Sequence, residues 1–113
     1  MDGLSDQALI QVANYFSALA EPTRLRILNC LREKEHNVGE LAERCACSQA
    51  NVSRHLSTLA KHGLVAREGR GTSVYYHIAD QSIYQLCDLV CGNVARQFES
   101  QAALLNGSRP APL

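Results

Sequence analysis

The residues best equipped for chemistry in this 113-residue chain are five cysteines: Cys30, Cys45, Cys47, Cys87 and Cys91. Cys87 and Cys91 stand four apart in a stretch with helical apolar spacing. That spacing sets them about 40° apart on one side of a helix, with Cβ atoms roughly 5–6 Å from each other. Two thiolates so placed can share one soft ion through bonds of about 2.3 Å, which suits As(III), Sb(III), Cd(II) or Pb(II). A three-coordinate ion needs another donor, and Cys30 is the nearest candidate. The same pair can instead act as a redox or persulfide sensor, although bridging thiols four apart within one regular helix conflicts with disulfide geometry. Each cysteine also has a packing reading. Cys87 lies on an apolar stripe, Cys30 adjoins Leu28 and Leu31, and Cys45-Ala46-Cys47 spans a helix end and the turn after it. Their odd number argues against a complete disulfide framework and for reduced thiols.

Other chemistries find little footing. His36, His55, His62 and His77 are scattered without metal-ligand spacing. No Ser-His-Asp arrangement, phosphate-cradling glycine loop or paired catalytic carboxylates can be assembled, so a small enzyme is only a remote alternative. Charge is more informative. Eleven Lys and Arg balance eleven Asp and Glu, yet residues 1–44 carry net −2, residues 45–77 net +3 and residues 78–113 net −1. The middle third is where a polyanion would bind. Hydrophobic residues at 46% and charged residues at 19% describe an ordinary globular chain with an aliphatic core, since tryptophan is absent. The apolar runs are too short to cross a bilayer and the N-terminus lacks the layout of a signal peptide, so the expected setting is the cytoplasm, with no membrane partner.

Several elements must hold these residues in place. Leu9, Val12, Phe16 and Leu19 form a helical stripe over residues 6–20, and Pro22 opens a second helix that runs to about Lys34 through Leu25, Leu28 and Leu31. Residues 35–37 read as a turn, with Asn37 capping a short third helix that carries Val38, Leu41, Ala42 and Cys45. Ser48 caps a fourth helix in which Val52, Leu56 and Leu59 face inward until Gly63 ends it. The period then shifts to that of strands: residues 64–67 and 74–78 flank the glycine-rich basic tip 68–73 and predict a β-hairpin. Asp80 can cap a last helix with Ile83, Leu86, Cys87, Val90, Val94 and Phe98 on one side, running to about Leu105. The expectation is one mostly α domain over residues 1–105, ordered α-α-α-α-β-β-α, which is a winged helix-turn-helix. Residues 106–113 are expected to form a disordered tail.

The outward flank of the fourth helix carries Ala50, Arg54, Ser57 and Lys61, small, polar or basic side chains able to approach a DNA groove. Gln49 and Asn51 can pair with adenine, and Arg54 can reach guanine or a phosphate. Ser48 and the helix N-terminus suit a phosphate. Ser53 and His55 complete the candidates on this helix, His55 either contacting DNA or capping the packing. Arg70 at the hairpin tip can track the backbone or enter a narrow minor groove.

Residues 18–31, Gly39-Glu40-Leu41-Ala42, Ser48 through Leu56, Leu59 through Val65, Arg70-Gly71 and Tyr75-Tyr76 closely resemble the ArsR/SmtB family of bacterial repressors. The likeness covers about residues 8–96. It implies a homodimer joined through its first and last helices, seated on double-stranded operator DNA of twofold symmetry and released by an inducer. No cofactor is implied for DNA binding itself. The Cys-x-Cys site of some members falls on Asn37 and Gly39 here, so it is missing. The zinc site of others falls on Asp80, Ser82, Asn93 and Arg96, where an arginine cannot serve a cation. The cysteines of this chain therefore remain the candidates for an inducer, with Cys87 and Cys91 first.

Overall fold

A computed structural model describes residues 2–105, so the tail expected at 106–113 lies outside the described residues. The chain divides into two compact units, one ending at Asp80 and the other beginning at Gln81. The first holds α1 (Asp6–Leu19), α2 (Pro22–Glu33), β1 (His36–Asn37), α3 (Val38–Cys45), α4 (Gln49–Lys61), β2 (Val65–Arg70) and β3 (Ser73–Ile78). The second holds α5 (Ile83–Leu105).

Helix starts in the first unit are written by their caps. The first N–H groups of a helix lack intrahelical acceptors, and a preceding polar side chain supplies one, worth about 1 kcal/mol. Ser5 accepts from the Ala8 N–H at 3.2 Å, and Ser48 from the Asn51 N–H at 3.1 Å. Glu21 serves α2 in the same way, accepting from the Arg24 N–H at 2.9 Å, with Pro22 in the first turn. Asn37 and Glu40 exchange two such bonds, at 2.8 and 3.0 Å, in a reciprocal capping box at the start of α3.

The core lies where α2, α3 and α4 meet the base of the hairpin. Ile27, Leu28, Leu41, Val52, Leu56, Leu59 and Leu64 are fully or almost fully buried there. The turn from α3 to α4 is tight. Ala46 sits in the left-handed region at φ 53°, which costs a side chain about 1–2 kcal/mol. In exchange, the Cys47 N–H reaches the Ala42 carbonyl at 3.0 Å and closes the end of α3.

Two local expectations need correction. Residues 36–37 are not turn but a short strand, pairing antiparallel with β3 so that His36 faces Tyr76 and Asn37 faces Tyr75. Two residues carry no readable period, and this pairing is set by a partner about forty positions away in sequence. The basic tip is also shorter than the glycines suggest: β2 and β3 stay paired out to Arg70 and Ser73, leaving Gly71-Thr72 as the turn, with Gly71 at φ 61°. In the second unit α5 begins at Ile83, after a turn in which the Tyr84 N–H bonds the Gln81 carbonyl and the Gln85 N–H bonds the Ser82 carbonyl.

Two helices keep apolar side chains in solvent. In α1 only Ala18 is buried, and Leu9, Ile10 and Phe16 stand exposed. In α5, Leu89, Val90, Val94 and Phe98 are exposed, Phe98 by 66%. Among the described residues no helix is long and apolar enough to cross a membrane.

Candidate nucleic-acid interface

Helix α4 divides cleanly between a buried and a solvent-facing flank. Val52, His55, Leu56 and Leu59 are buried, while Gln49, Ala50, Ser53, Arg54, Ser57 and Lys61 are exposed and Asn51 is half-buried. A packed inner side fixes the helix, and the outer side offers what a groove requires: small residues for close approach, amides and a guanidinium for base edges. Arg54 donates to the Asn51 side-chain oxygen one turn back, so the two form a single polar unit on the outer flank of α4. Ser48 is exposed at the N-terminus of α4, and its oxygen already accepts the Asn51 N–H. Gln49 lies beside the start of α3, its amide nitrogen 3.6 Å from where a side chain on Gly39 would begin.

His55 is the sequence candidate that points the other way. Its ring is enclosed, with Nδ1 3.3 Å from the Arg24 guanidinium and Nε2 3.7 Å from the Glu21 carboxylate. Arginine can only donate, so Nδ1 accepts and Nε2 carries the hydrogen toward Glu21. Arg24 also donates to the Ala18 carbonyl at 2.6 Å and to the Ser17 carbonyl at 3.1 Å, satisfying the last turn of α1. Glu21, Arg24 and His55 thus tie α1, α2 and α4 together from beneath. The Arg24 N–H bond holds the Glu21 carboxyl below its ordinary range. The histidine missed its expected DNA-facing position because its place on the wheel, three residues after Val52, belongs to the inner flank.

The wing arginine is present but occupied. Arg70 makes a two-pronged contact with Glu35, its Nη2 bonding Oε2 at 2.7 Å, and also reaches Glu68 at 3.2 Å. Its guanidinium lies 5.0 Å from the centre of the Tyr75 ring. The bond from Arg70 lowers the Glu35 carboxyl pKa, and the two carboxylates raise that of Arg70. No sequence signal announces the Glu35–Arg70 pair, because β1 brings Glu35 to the hairpin only in the folded chain.

A helix-turn-helix domain model matches residues 19–68. Over 85 residues the chain is 41% identical to the HTH-type transcriptional regulator NmtR of Mycobacterium tuberculosis, covering 75% of this chain and 71% of that protein. Over 81 residues it is 41% identical to a SmtB repressor homologue of Synechocystis, covering 72% of this chain and 61% of that protein. The solution structure of the homodimeric winged helix-turn-helix domain of Mycobacterium bovis Mb0332, described as a possible ArsR-family regulator, superposes with TM-score 0.74 at 34% identity. That match covers 88% of this chain and 94% of that one. The chain belongs to the ArsR/SmtB family. It is a winged helix-turn-helix DNA-binding transcriptional regulator, and its matches are regulators rather than enzymes.

In this ArsR/SmtB regulator the cysteines fall into two groups. Cys87 is half-buried and Cys91 exposed on α5. Cys45, the last residue of α3, is buried, and Cys30 and Cys47 are half-buried. Cys30, on α2, stands near Cys45 at the end of α3. Burial and the adjoining Cys30 push the Cys45 thiol up to about 11. Among the described residues, no three His, Cys, Asp or Glu side chains are grouped so as to hold a metal ion.

Proposed function

We propose that this regulator is a homodimeric repressor that grips operator DNA with α4 and lets go when a thiophilic ion binds Cys87 and Cys91. The observation that carries the DNA part is the two-sided α4: a fully buried Val52, Leu56 and Leu59 beneath an exposed Gln49, Ser53, Arg54 and Lys61, with Asn51 at its edge. Ser48 offers a backbone phosphate its hydroxyl hydrogen, and Arg70 joins after release from Glu35. Homodimerisation is supported by the apolar side chains that α1 and α5 leave in solvent, which a second copy would cover, and by the homodimeric Mb0332 domain. Twofold symmetry then places two α4 helices on half-sites about one DNA turn apart.

The inducer reading rests on donor chemistry. Cys87 and Cys91 are one helical turn apart and reachable, and two thiolates suit As(III), Sb(III), Cd(II) or Pb(II). Among the described residues no third donor is grouped beside them, so the ion draws on thiols of the second copy, which makes ion binding an event of the dimer.

The deciding experiment titrates reduced protein on operator DNA with arsenite, antimonite, Cd(II) and Pb(II), and repeats it on Cys87→Ser and Cys91→Ser. Either substitution should keep operator binding and blunt release by the ion. Release that survives both substitutions removes the α5 pair from sensing, and DNA binding lost in both marks the cysteines as packing residues.

A further inference from the structure

We infer that the cleft between α1 and the far end of α4 binds a small polyhydroxylated anion, its charged group a phosphate or a carboxylate, and that the bound anion weakens the hold of α4 on DNA. The cleft measures about 410 Å³, within the roughly 300–1,000 Å³ of small-molecule sites. All of its walls belong to the first unit. Gln11, Asn14 and Ser17 line it from α1, and Arg24 from α2. Thr58, Lys61 and His62 close it from the end of α4. Among the described residues Arg24 and Lys61 line it and no carboxylate does, so its field favours an anion. The amides and hydroxyls around these cations need hydrogen-bond partners, which ligand hydroxyls supply and an apolar ligand does not.

The polar groups are already set for that ligand. The Arg24 guanidinium is fixed by the Ala18 carbonyl at Nε, the Ser17 carbonyl at Nη2 and the His55 ring at Nη1, which leaves one further N–H on each terminal nitrogen. Those bonds also cover carbonyls at the end of α1. At the end of α4 the His62 Nδ1 donates to the Thr58 carbonyl at 2.9 Å, the Gly63 N–H to Ala60 and the Leu64 N–H to Leu59. The negative poles of both helices, which repel an anion, are thus met by donors of the chain itself. With Nδ1 donating, the neutral His62 ring keeps Nε2 as an acceptor for a ligand hydroxyl. The Glu21 carboxylate beside Arg24 is turned to the Arg24 N–H and to His55, and it is not part of the lining.

The position couples the cleft to DNA and keeps it clear of a second copy. Lys61 also stands on the outward flank of α4, so an anion that draws it inward removes one positive charge from the operator side. That step rests on the DNA reading proposed above, whereas binding in the cleft does not. On the wheel of α1, Gln11 and Asn14 lie about 140–160° from the exposed Leu9 and Phe16, so a copy seated on that apolar stripe does not fill the cleft.

The test titrates the whole reduced chain, without DNA and at fixed ionic strength, with glucose 6-phosphate, gluconate, glucose and inorganic phosphate, followed by calorimetry and amide NMR. The expected result is one hydroxylated anion bound per chain, with shifted amides at Gln11, Asn14, Thr58 and His62, and binding of glucose and of inorganic phosphate weaker by about tenfold or more. The tighter of glucose 6-phosphate and gluconate identifies the charged group. Gln11→Glu sets a carboxylate in the cleft from an exposed helical position and should weaken binding by about tenfold. On operator DNA the bound anion should lower affinity by about fivefold, and Gln11→Glu should lose that response. No binding of either hydroxylated anion, shifts that map elsewhere, glucose or inorganic phosphate bound equally well, or a Gln11→Glu chain that binds like the parent would each overturn the site. An anion bound in the cleft with operator affinity unchanged overturns the regulatory half alone. A parent chain that binds the anion there and ignores the operator keeps the site and refutes the DNA reading, and the regulatory half with it.

Discussion

The recognition helix and the wing carry the same kind of residue to the same kind of surface, and only one of them leaves it available. Arg54 on α4 and Arg70 at the end of β2 are both exposed basic side chains in the electropositive middle third of the chain. Arg54 leans on an uncharged amide of its own helix, which a base or phosphate can replace at little cost. Arg70 is held by two carboxylates and lies over an aromatic ring, so DNA must first displace Glu35. Counting charges along a chain measures what a surface could attract; the ion pairs decide how much of it acts.

The comparison can be broken at its base. Leu56 is wholly buried under α4, and Leu56→Ala should lower unfolding free energy by about 2–5 kcal/mol in denaturant titrations. A loss below about 1 kcal/mol would mean that the inner flank of α4 is not packed as described. Next in size, Arg54→Ala should weaken operator affinity by about 1–3 kcal/mol at fixed salt. Arg70→Ala should cost less than Arg54→Ala, and the reverse order would sink the distinction between helix and wing.

Releasing the wing sharpens the contrast. Glu35→Gln should tighten operator binding at low salt, because DNA no longer has to displace the carboxylate from Arg70. Equal affinities of Glu35→Gln and the parent at low salt would mean that Arg70 never reaches the backbone. The smallest effect is on the acid side. Glu35, Glu21 and Glu40 all have folded carboxyl pKa values below the usual 4.5, held there by the Arg70 guanidinium, the Arg24 N–H and the Asn37 N–H respectively. The unfolded chain therefore binds more protons in that window, and the stability these groups add is complete above about pH 4.5 and lost as pH falls through their folded values. Thermal midpoints followed from about pH 6 to about pH 3 should fall less steeply in Glu40→Gln than in the parent; parallel curves would remove Glu40 from the acid response.

Much of the architecture was legible in the residues because its signals are local. Ser48 and Asn37 cap the helices expected of them, Gly63 follows the end of α4, and the inward set Val52, Leu56 and Leu59 is the buried set. The outward set on α4 followed from the same wheel. What stayed hidden involves partners distant along the chain. His55 shares α4 with the reading face, yet its ring is enclosed by Arg24 and Glu21. The Glu35 clamp depends on a two-residue strand with no period of its own. The thiols follow the same rule, since Cys30 comes near Cys45 through helix packing rather than through spacing.

Residue order alone thus determined the helices, the hairpin, the inner and outer flanks of α4 and the family, because caps, turns and apolar period act within a few positions of one another. Only the folded chain decided which charged side chains are paired. That outcome depends on Coulomb and hydrogen-bond contacts, which act over a few ångströms and so exist only after packing has brought distant segments together.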